Sequence, residues 1–350
     1  MGITKNIAMS LFLGAFAFGN MAVAQSVAFQ QGLIKAAESD KDVAAYYKAH
    51  NYAPLWTTEN GIHKKRIDAL ITAFAQSGSH GLPRDAYDVG ALKSRIAKAQ
   101  TDADFGALEA QLSRLFLQYA RDVQTGITVP SRIDSEIVRK VPYRGRQGTL
   151  VAFSKSSPTG FMKALPPKTP EYARLMREKL ALERLIGAGG WGPTVPGKKL
   201  EMGASGDAVV ALRNRLQAMG FMGRSTTAVY DDAIKTAVQQ FQLAHGLATD
   251  GVAGAGTLKE INRDVTYRLK SVIVAMERER WMNRPRGERH IWVNLTDFHA
   301  KIIDGNKVTF ETRSVVGAHD KDRRSPEFSD VMEFMVINPS WYVPRSIAVK

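Results

Sequence analysis

The spacing of apolar residues changes once along this 350-residue chain, and the change limits the folds that it can adopt. Through most of the chain the spacing is helical, as in one stripe of five residues: Leu108, Leu112, Leu115, Phe116 and Tyr119. Near residue 290 the period falls to two, and Ile291, Val293 and Leu295 alternate with Trp292, Asn294 and Thr296, which predicts a half-buried strand. Helical and strand periods in separate regions predict a multidomain α+β protein.

The segment after residue 288 contains further strand signals. The stretch "AKIIDGNKVTFETRSVVG" holds two strand-like runs around Asp304-Gly305, which is a hairpin signal. In "VMEFMVINP", Met332, Phe334 and Val336 fall on one face and predict another strand over residues 331–337. We expect residues 288–350 to form part of a β-rich domain that is incomplete at residue 350.

A helical domain is predicted for residues 25–190, completed by a helix over residues 265–282. Thr169-Pro170 is typical of a helix start, with Thr as the N-cap and Pro at the first helical position. Residues 141–170, rich in Gly, Ser and Pro, predict a long loop rather than a core element.

Residues 197–262 predict a compact unit of three short helices. Two helices show inward-facing sets, the first with Val209, Leu212, Leu216 and Met219, the second with Ile234, Ala237, Val238, Phe241 and Ala244. Gly220 and Gly246 suit the left-handed exits of these helices, and Asp231 suits the N-cap of the second. Thr257 and Glu260 have the spacing of a capping box for the third.

The first 24 residues have the pattern of a cleaved secretory signal. Lys5 precedes an apolar run from Ile7 to Phe18, and Ala22-Val23-Ala24 forms an A-x-A cleavage site before Gln25. The apolar run is shorter than the ~20 residues that span a bilayer, which argues against a membrane anchor. We expect an exported, periplasmic protein whose mature form begins at Gln25.

Charge and cysteine content limit the partners and the chemistry. The formal net charge is +14 and falls to +13 when Lys5 is removed with the signal. A basic surface suits nucleic acid, an anionic membrane face or an acidic polymer. Export disfavours nucleic acid as the partner. The alternative is that the positive surface is only solvated and binds no partner. The chain contains no cysteine, so it relies on packing rather than disulfides.

The three-helix segment resembles the peptidoglycan-binding module of bacterial cell-wall enzymes. The resemblance covers about 65 residues and rests on the order Gly203, Gly206-Asp207, Leu212, Leu216, Gly220, Tyr230-Asp231, Phe241-Gln242, Gly246-Leu247, Asp250-Gly251 and Thr257. It implies that peptidoglycan is the partner.

The flanking segments resemble large periplasmic L,D-transpeptidases. The run from "MERERWMNRPRGERHIWVNL" to "INPSWYVPRSIAVK" is similar to the first half of their catalytic domain. The stretches "NYAPLWTTENG", "YARDVQTG" and "LPPKTPEYARLMREKLALERL" are similar to their scaffold domain. The predicted fold is therefore a helical scaffold domain, a three-helix peptidoglycan-binding module and the first half of a catalytic domain.

The resemblance implies a transferase that works through a cysteine acyl-enzyme. In the family, a Cys in a Ser-His-Gly-Cys signature attacks a stem peptide, D-alanine leaves, and the amine of a second stem resolves the thioester into a 3→3 cross-link. Water or a lipoprotein lysine are alternative acceptors. The nucleophile and its His are expected beyond Lys350, so the 350-residue chain is predicted to be inactive.

Trp341, Tyr342 and Arg345 are the candidate substrate-binding residues. Aromatics beside a proline suit a wall for a peptide, and Arg345 suits a stem carboxylate. The alternative is that Trp341 is core beneath the end of a sheet. No catalytic residue is assigned, no cofactor is implied, and the seven histidines lack metal-ligand spacing, which favours capping or surface roles.

Two functions remain open from the sequence. The first is a peptidoglycan L,D-transpeptidase, and the second is a non-catalytic envelope protein that binds peptidoglycan. Other cell-wall enzymes are candidate partners, and no membrane anchor is expected after signal cleavage.

Overall fold

The computed structural model describes residues 26–58, 61–318, 320 and 323–349. The predicted signal peptide over residues 1–24, the predicted mature start at Gln25 and Lys350 lie outside these residues. Among the helices described, none combines the length and the apolar character needed to span a membrane.

The N-terminal unit is a bundle of helices around one apolar core. Its helices are α1 (Val27–Ala37), α2 (Lys41–Ala49), α3 (Lys64–Gln76), α4 (Val89–Ala97), α5 (Asp102–Thr125), α6 (Pro130–Ile133), α7 (Arg146–Ser154), α8 (Pro158–Ala164) and α9 (Pro170–Gly187). Two short strands, β1 (Thr57–Thr58) and β2 (Gly61–Ile62), pair antiparallel between α2 and α3. The predicted start of α9 is confirmed, because Thr169 Oγ1 accepts the Tyr172 N–H at 3.2 Å and Pro170 is the first helical residue.

Helix α5 is the centre of this bundle. The predicted apolar stripe is confirmed, with Leu108, Leu112, Phe116 and Tyr119 buried and Leu115 partly buried. Helix α1 lies so close to α5 that a Cβ on Gly106 would collide with the Phe29 carbonyl, and a Cβ on Gly32 with the Ala103 carbonyl. Glycine at both positions therefore permits the contact.

The predicted long loop over residues 141–170 is wrong, because it contains α7 and α8. Leu150 and Phe153 of α7 are fully buried, and the Phe153 ring lies 5.1 Å from that of Trp56 and 4.5 Å from that of Phe116. Composition in Gly, Ser and Pro pointed to a loop, but burial of these two side chains stabilises the helix.

A buried carboxylate holds the chain between α2 and β1. Glu109 is fully buried and accepts hydrogen bonds from Trp56 N (2.8 Å), Thr57 N (3.0 Å), Thr57 Oγ1 (2.8 Å), Tyr47 OH (2.9 Å) and Leu55 N. Burial raises the pKa of the Glu109 carboxyl, against the effect of these hydrogen bonds. The stretch "APLWTT" is thus anchored on α5 by one side chain.

Residues 195–262 form a second unit with its own core. Its helices are α10 (Asp207–Ala218), α11 (Asp232–Ala244) and α12 (Ala255–Ile261). The core includes eleven residues of these helices, of the segment before α10 and of the connection between α10 and α11: Val195, Leu200, Val209, Leu212, Leu216, Tyr230, Ile234, Val238, Phe241, Leu258 and Ile261. We call this unit the module.

The helix ends of the module follow from local chemistry in most places. Asp231 caps α11 by accepting the Ile234 N–H at 3.0 Å, and Gly220 and Gly246 have φ of 82° and 65°, as predicted. Ala244, predicted to face inward, is exposed.

The predicted Thr257–Glu260 capping box is wrong. Helix α12 starts after Gly254, so Thr257 lies inside the helix, where it is buried. Its hydroxyl accepts a hydrogen bond from Gln242 Nε2 at 3.1 Å. The Thr257 hydroxyl therefore bonds to a residue of another helix instead of capping its own helix.

Helix α13 (Val265–Trp281) leads back from the module and packs against α9 and α5. Arg280 is 1% exposed, donates to the His80 carbonyl at 2.8 Å and to Tyr172 OH at 3.2 Å, and pairs with Glu277 at 3.2 Å. Glu277 also accepts the Thr128 N–H at 2.9 Å. The charged stretch "MERERW" thus joins α13 to the N-terminal bundle.

The predicted hairpin is present in a small antiparallel sheet. Strands β3 (Arg289–Asn294), β4 (His299–Asp304) and β5 (Lys307–Arg313) pair in the order β3-β4-β5, and Gly305 turns the chain with φ of 60°. The expected burial of β3 is wrong, since Ile291 is 58% and Val293 49% exposed. Burial does alternate along β3, but the half-buried side chains are those of His290, Trp292 and Asn294, on the opposite face.

The predicted strand over residues 331–337 is also wrong. The described backbone from Val331 to Ile337 is irregular, and Met332, Phe334 and Val336 are exposed. A strand forms when a neighbour takes its hydrogen bonds, and these residues pair with no described strand. The short helix α14 (Arg345–Ala348) follows.

Candidate functional site

The three predicted substrate-binding residues lie on the surface. Trp341 is 76% and Tyr342 89% exposed, and Arg345 is the exposed first residue of α14. The alternative that Trp341 is a core residue is therefore wrong. None of the three lines either of the two clefts described below. Their role in binding stays a prediction.

A cleft of about 370 Å³ lies where the module meets α9 and α13. We call it the module–scaffold cleft. Its lining is mainly apolar and comes from α9, the turn after it, the module and α13: Leu175, Glu178, Leu182, Trp191, Met219, Phe221, Phe241, His245, Arg268, Ser271, Val272 and Ala275. This volume lies in the range of small-molecule sites, about 300–1,000 Å³.

The module supplies an aromatic wall to this cleft. The His245 ring stacks on Phe241 with centroids 4.0 Å apart and an interplanar angle of 24°, and Phe221 meets Phe241 edge-on at 5.3 Å. His245 Nδ1 lies 2.8 Å from the Phe241 carbonyl, which can only accept, so Nδ1 carries the proton and Nε2 is an acceptor. Burial lowers the pKa of His245, which favours this neutral form.

Two arginines fix the module beside the scaffold helices. Arg268 of α13 pairs with Glu260 of α12 at 2.6 Å and donates to the Glu260 carbonyl at 3.0 Å. Arg215 is buried and donates to the carbonyls of Ile261 (2.7 Å) and Gly192 (2.9 Å), next to Trp191. These contacts hold Trp191 and the start of α13 against the module.

A second cleft, of about 420 Å³, lies beyond the end of α3. It is mainly polar and is lined by residues that include Ser77, Arg84, Asp85 and Asp88. It shares no residue with the module. In the described ranges, no group of three or more His, Cys, Asp or Glu side chains is arranged to hold a metal ion.

Sequence reasoning did not identify the module–scaffold cleft. Nothing in the sequence pattern singles out Trp191, and the histidines were expected to have capping or surface roles; His245 is the C-cap residue of α11. The available signal was the i, i+4 spacing of Phe241 and His245 at the end of a helix. The opposite wall comes from α9 and α13, which only the tertiary structure brings together.

Two family comparisons match separate parts of the chain. Residues 41–178 match the family described as a scaffold domain, and residues 205–261 match the family described as a peptidoglycan binding domain. No curated protein matches the chain. A peptidoglycan-binding domain is therefore present, and it contributes Met219, Phe221, Phe241 and His245 to the module–scaffold cleft.

Proposed function

We propose that this chain is an exported cell-wall protein that holds peptidoglycan through residues 205–261 and belongs to an L,D-transpeptidase system. The peptidoglycan-binding match over those residues carries the proposal. The module has a buried core of its own, so the matched segment is a folded unit and not only a short sequence motif. The basic charge supports the same partner, because stem peptides carry carboxylates.

The finer proposal is the transpeptidase reaction and its periplasmic location. The scaffold-domain match is consistent with an L,D-transpeptidase-like architecture, as is the β-rich segment that follows α13. The reaction uses a cysteine thiolate, and the 350 residues contain no cysteine. We therefore propose that these 350 residues position peptidoglycan. The acyl-enzyme would be made by a version of the protein that carries the Ser-His-Gly-Cys signature.

Purified sacculi should retain the 350-residue chain after sedimentation. The matched control is a deletion of residues 197–262 with α9 and α13 joined by a Gly/Ser linker, which keeps the contact between these helices and should stay in the supernatant. Binding is repeated at 0.5 M salt, where the Debye length falls to about 4 Å and weak charge attraction is screened. A parent chain that stays in solution at both salt concentrations would contradict the proposed function.

The chain should release no D-alanine from tetrapeptide muropeptides and should form no covalent adduct with a carbapenem. Both results follow from the absence of a thiolate, since the acyl group has no cysteine to bind. A form that carries the cysteine signature serves as the positive control. D-alanine release above that of a heat-inactivated sample would exclude the cysteine mechanism.

The second candidate function is a non-catalytic peptidoglycan-binding protein. The same absence of cysteine favours it. Both candidate functions predict that sacculi retain the 350-residue chain. They differ because the second needs no form of the protein that carries the Ser-His-Gly-Cys signature.

A further inference from the structure

We propose that the module–scaffold cleft binds the sugar–peptide unit of peptidoglycan, so that α9 and α13 form part of the binding surface together with the module. This inference rests on the proposed function and adds the place and the residues of contact. It differs from attachment through the module alone, because half of the wall belongs to scaffold helices.

The shape and lining of the cleft suit an amino sugar. An N-acetylated pyranose has an apolar face of C–H groups, an acetyl methyl group and polar edges. Trp191, Phe221 and His245 offer flat, partly buried surfaces for the apolar face. The cleft volume of about 370 Å³ accepts one sugar with the first part of its peptide, rather than a long strand.

Polar groups stand at the rim of the cleft on both walls. Glu178 of α9 is exposed and has no ion-pair partner among the described residues, so its carboxylate is available to an amine, amide or hydroxyl of the ligand. Ser271 Oγ donates to the Tyr267 carbonyl at 3.1 Å, which leaves its lone pairs as acceptors. His245 Nε2 adds an acceptor from the module. A few polar groups around an apolar lining are typical of ligand sites.

The two walls are held in place before a ligand arrives. The Arg268–Glu260 ion pair joins α13 to α12, and the hydrogen bonds of Arg215 fix the turn that carries Trp191. A site that is already formed loses less conformational entropy on binding. A ligand in this cleft would contact both units and strengthen their association.

The test fills the cleft from the scaffold side and leaves every module residue unchanged. Ser271→Trp places an indole in the cleft, and Thr266→Trp places the same group on the opposite, exposed side of α13. Binding of a soluble disaccharide tetrapeptide is measured by calorimetry with the full chain. Ser271→Trp should raise the Kd by about tenfold or more, whereas Thr266→Trp should stay within about twofold of the parent.

Each outcome separates this inference from the proposed function. If Ser271→Trp and the parent bind the fragment equally well, the cleft is not the binding site. The same conclusion follows if sacculi retain the parent but the parent binds no fragment. In both cases sacculus retention leaves the proposed function intact, and failure of retention rejects the proposed function itself. If the circular dichroism spectrum of Ser271→Trp shows that this variant does not fold like the parent, fragment binding is measured with Glu178→Trp instead, which fills the cleft from α9.

Discussion

Replacing Glu109 with alanine is expected to lower the free energy of unfolding of the N-terminal bundle by roughly 3–5 kcal/mol. The substitution leaves the backbone N–H groups of Leu55, Trp56 and Thr57 without their acceptor inside a closed core. Relief from burying the carboxylate offsets part of this loss. Denaturant unfolding followed by tryptophan fluorescence measures it, because Trp56 lies in the affected stretch.

Two variants make the Glu109 result specific. Glu109→Gln should lose less stability than Glu109→Ala, because it keeps one acceptor oxygen. It should still be less stable than the parent, because its amide nitrogen faces donors that it cannot satisfy. Glu38→Ala, at an exposed position, should change stability by less than about 0.5 kcal/mol. If Glu109→Ala unfolds at the parent's denaturant concentration, the carboxylate does not organise this region.

The second large effect is expected from Phe241→Ala in the module. Phe241 is fully buried and contacts both Phe221 and His245, so truncation should cost about 3–5 kcal/mol through lost burial and the cavity left behind. The aromatic wall of the cleft would lose its support, and retention by sacculi should fall as well.

Leu243→Ala is the matched control for this prediction. Leu243 lies on the same helix, two residues from Phe241, and is 74% exposed. Its truncation should leave both the unfolding transition and sacculus retention close to those of the parent. A Phe241→Ala protein that melts with the parent would show that the core of the module is assigned wrongly.

Local features of the fold were predictable from the sequence. Each of these features acts within three or four residues of chain. Thr169 and Asp231 cap helices, Pro170 has a fixed φ, and Gly220 and Gly305 adopt a left-handed backbone conformation. The apolar stripe of α5 and the buried position of Phe241 follow from helical periodicity. Such signals need no knowledge of the rest of the molecule.

Features that depend on a distant partner were missed or predicted wrongly. Helix α7 forms in a loop-like composition because Phe153 packs on Trp56 and Phe116. The alternating residues 331–337 form no strand, since no described neighbour pairs with them. Thr257 lies at the spacing of a cap and instead bonds to Gln242.

The sequence by itself determined the positions of several helix ends and the peptidoglycan-binding identity of the module, because these depend on neighbouring residues and on a motif carried along one segment. Tertiary structure alone decided that Glu109 and Arg280 are buried anchors and that α9 and α13 face the module across a cleft. Burial and pairing depend on what lies opposite a side chain. That information is distributed over segments separated by tens of residues, so no local pattern contains it.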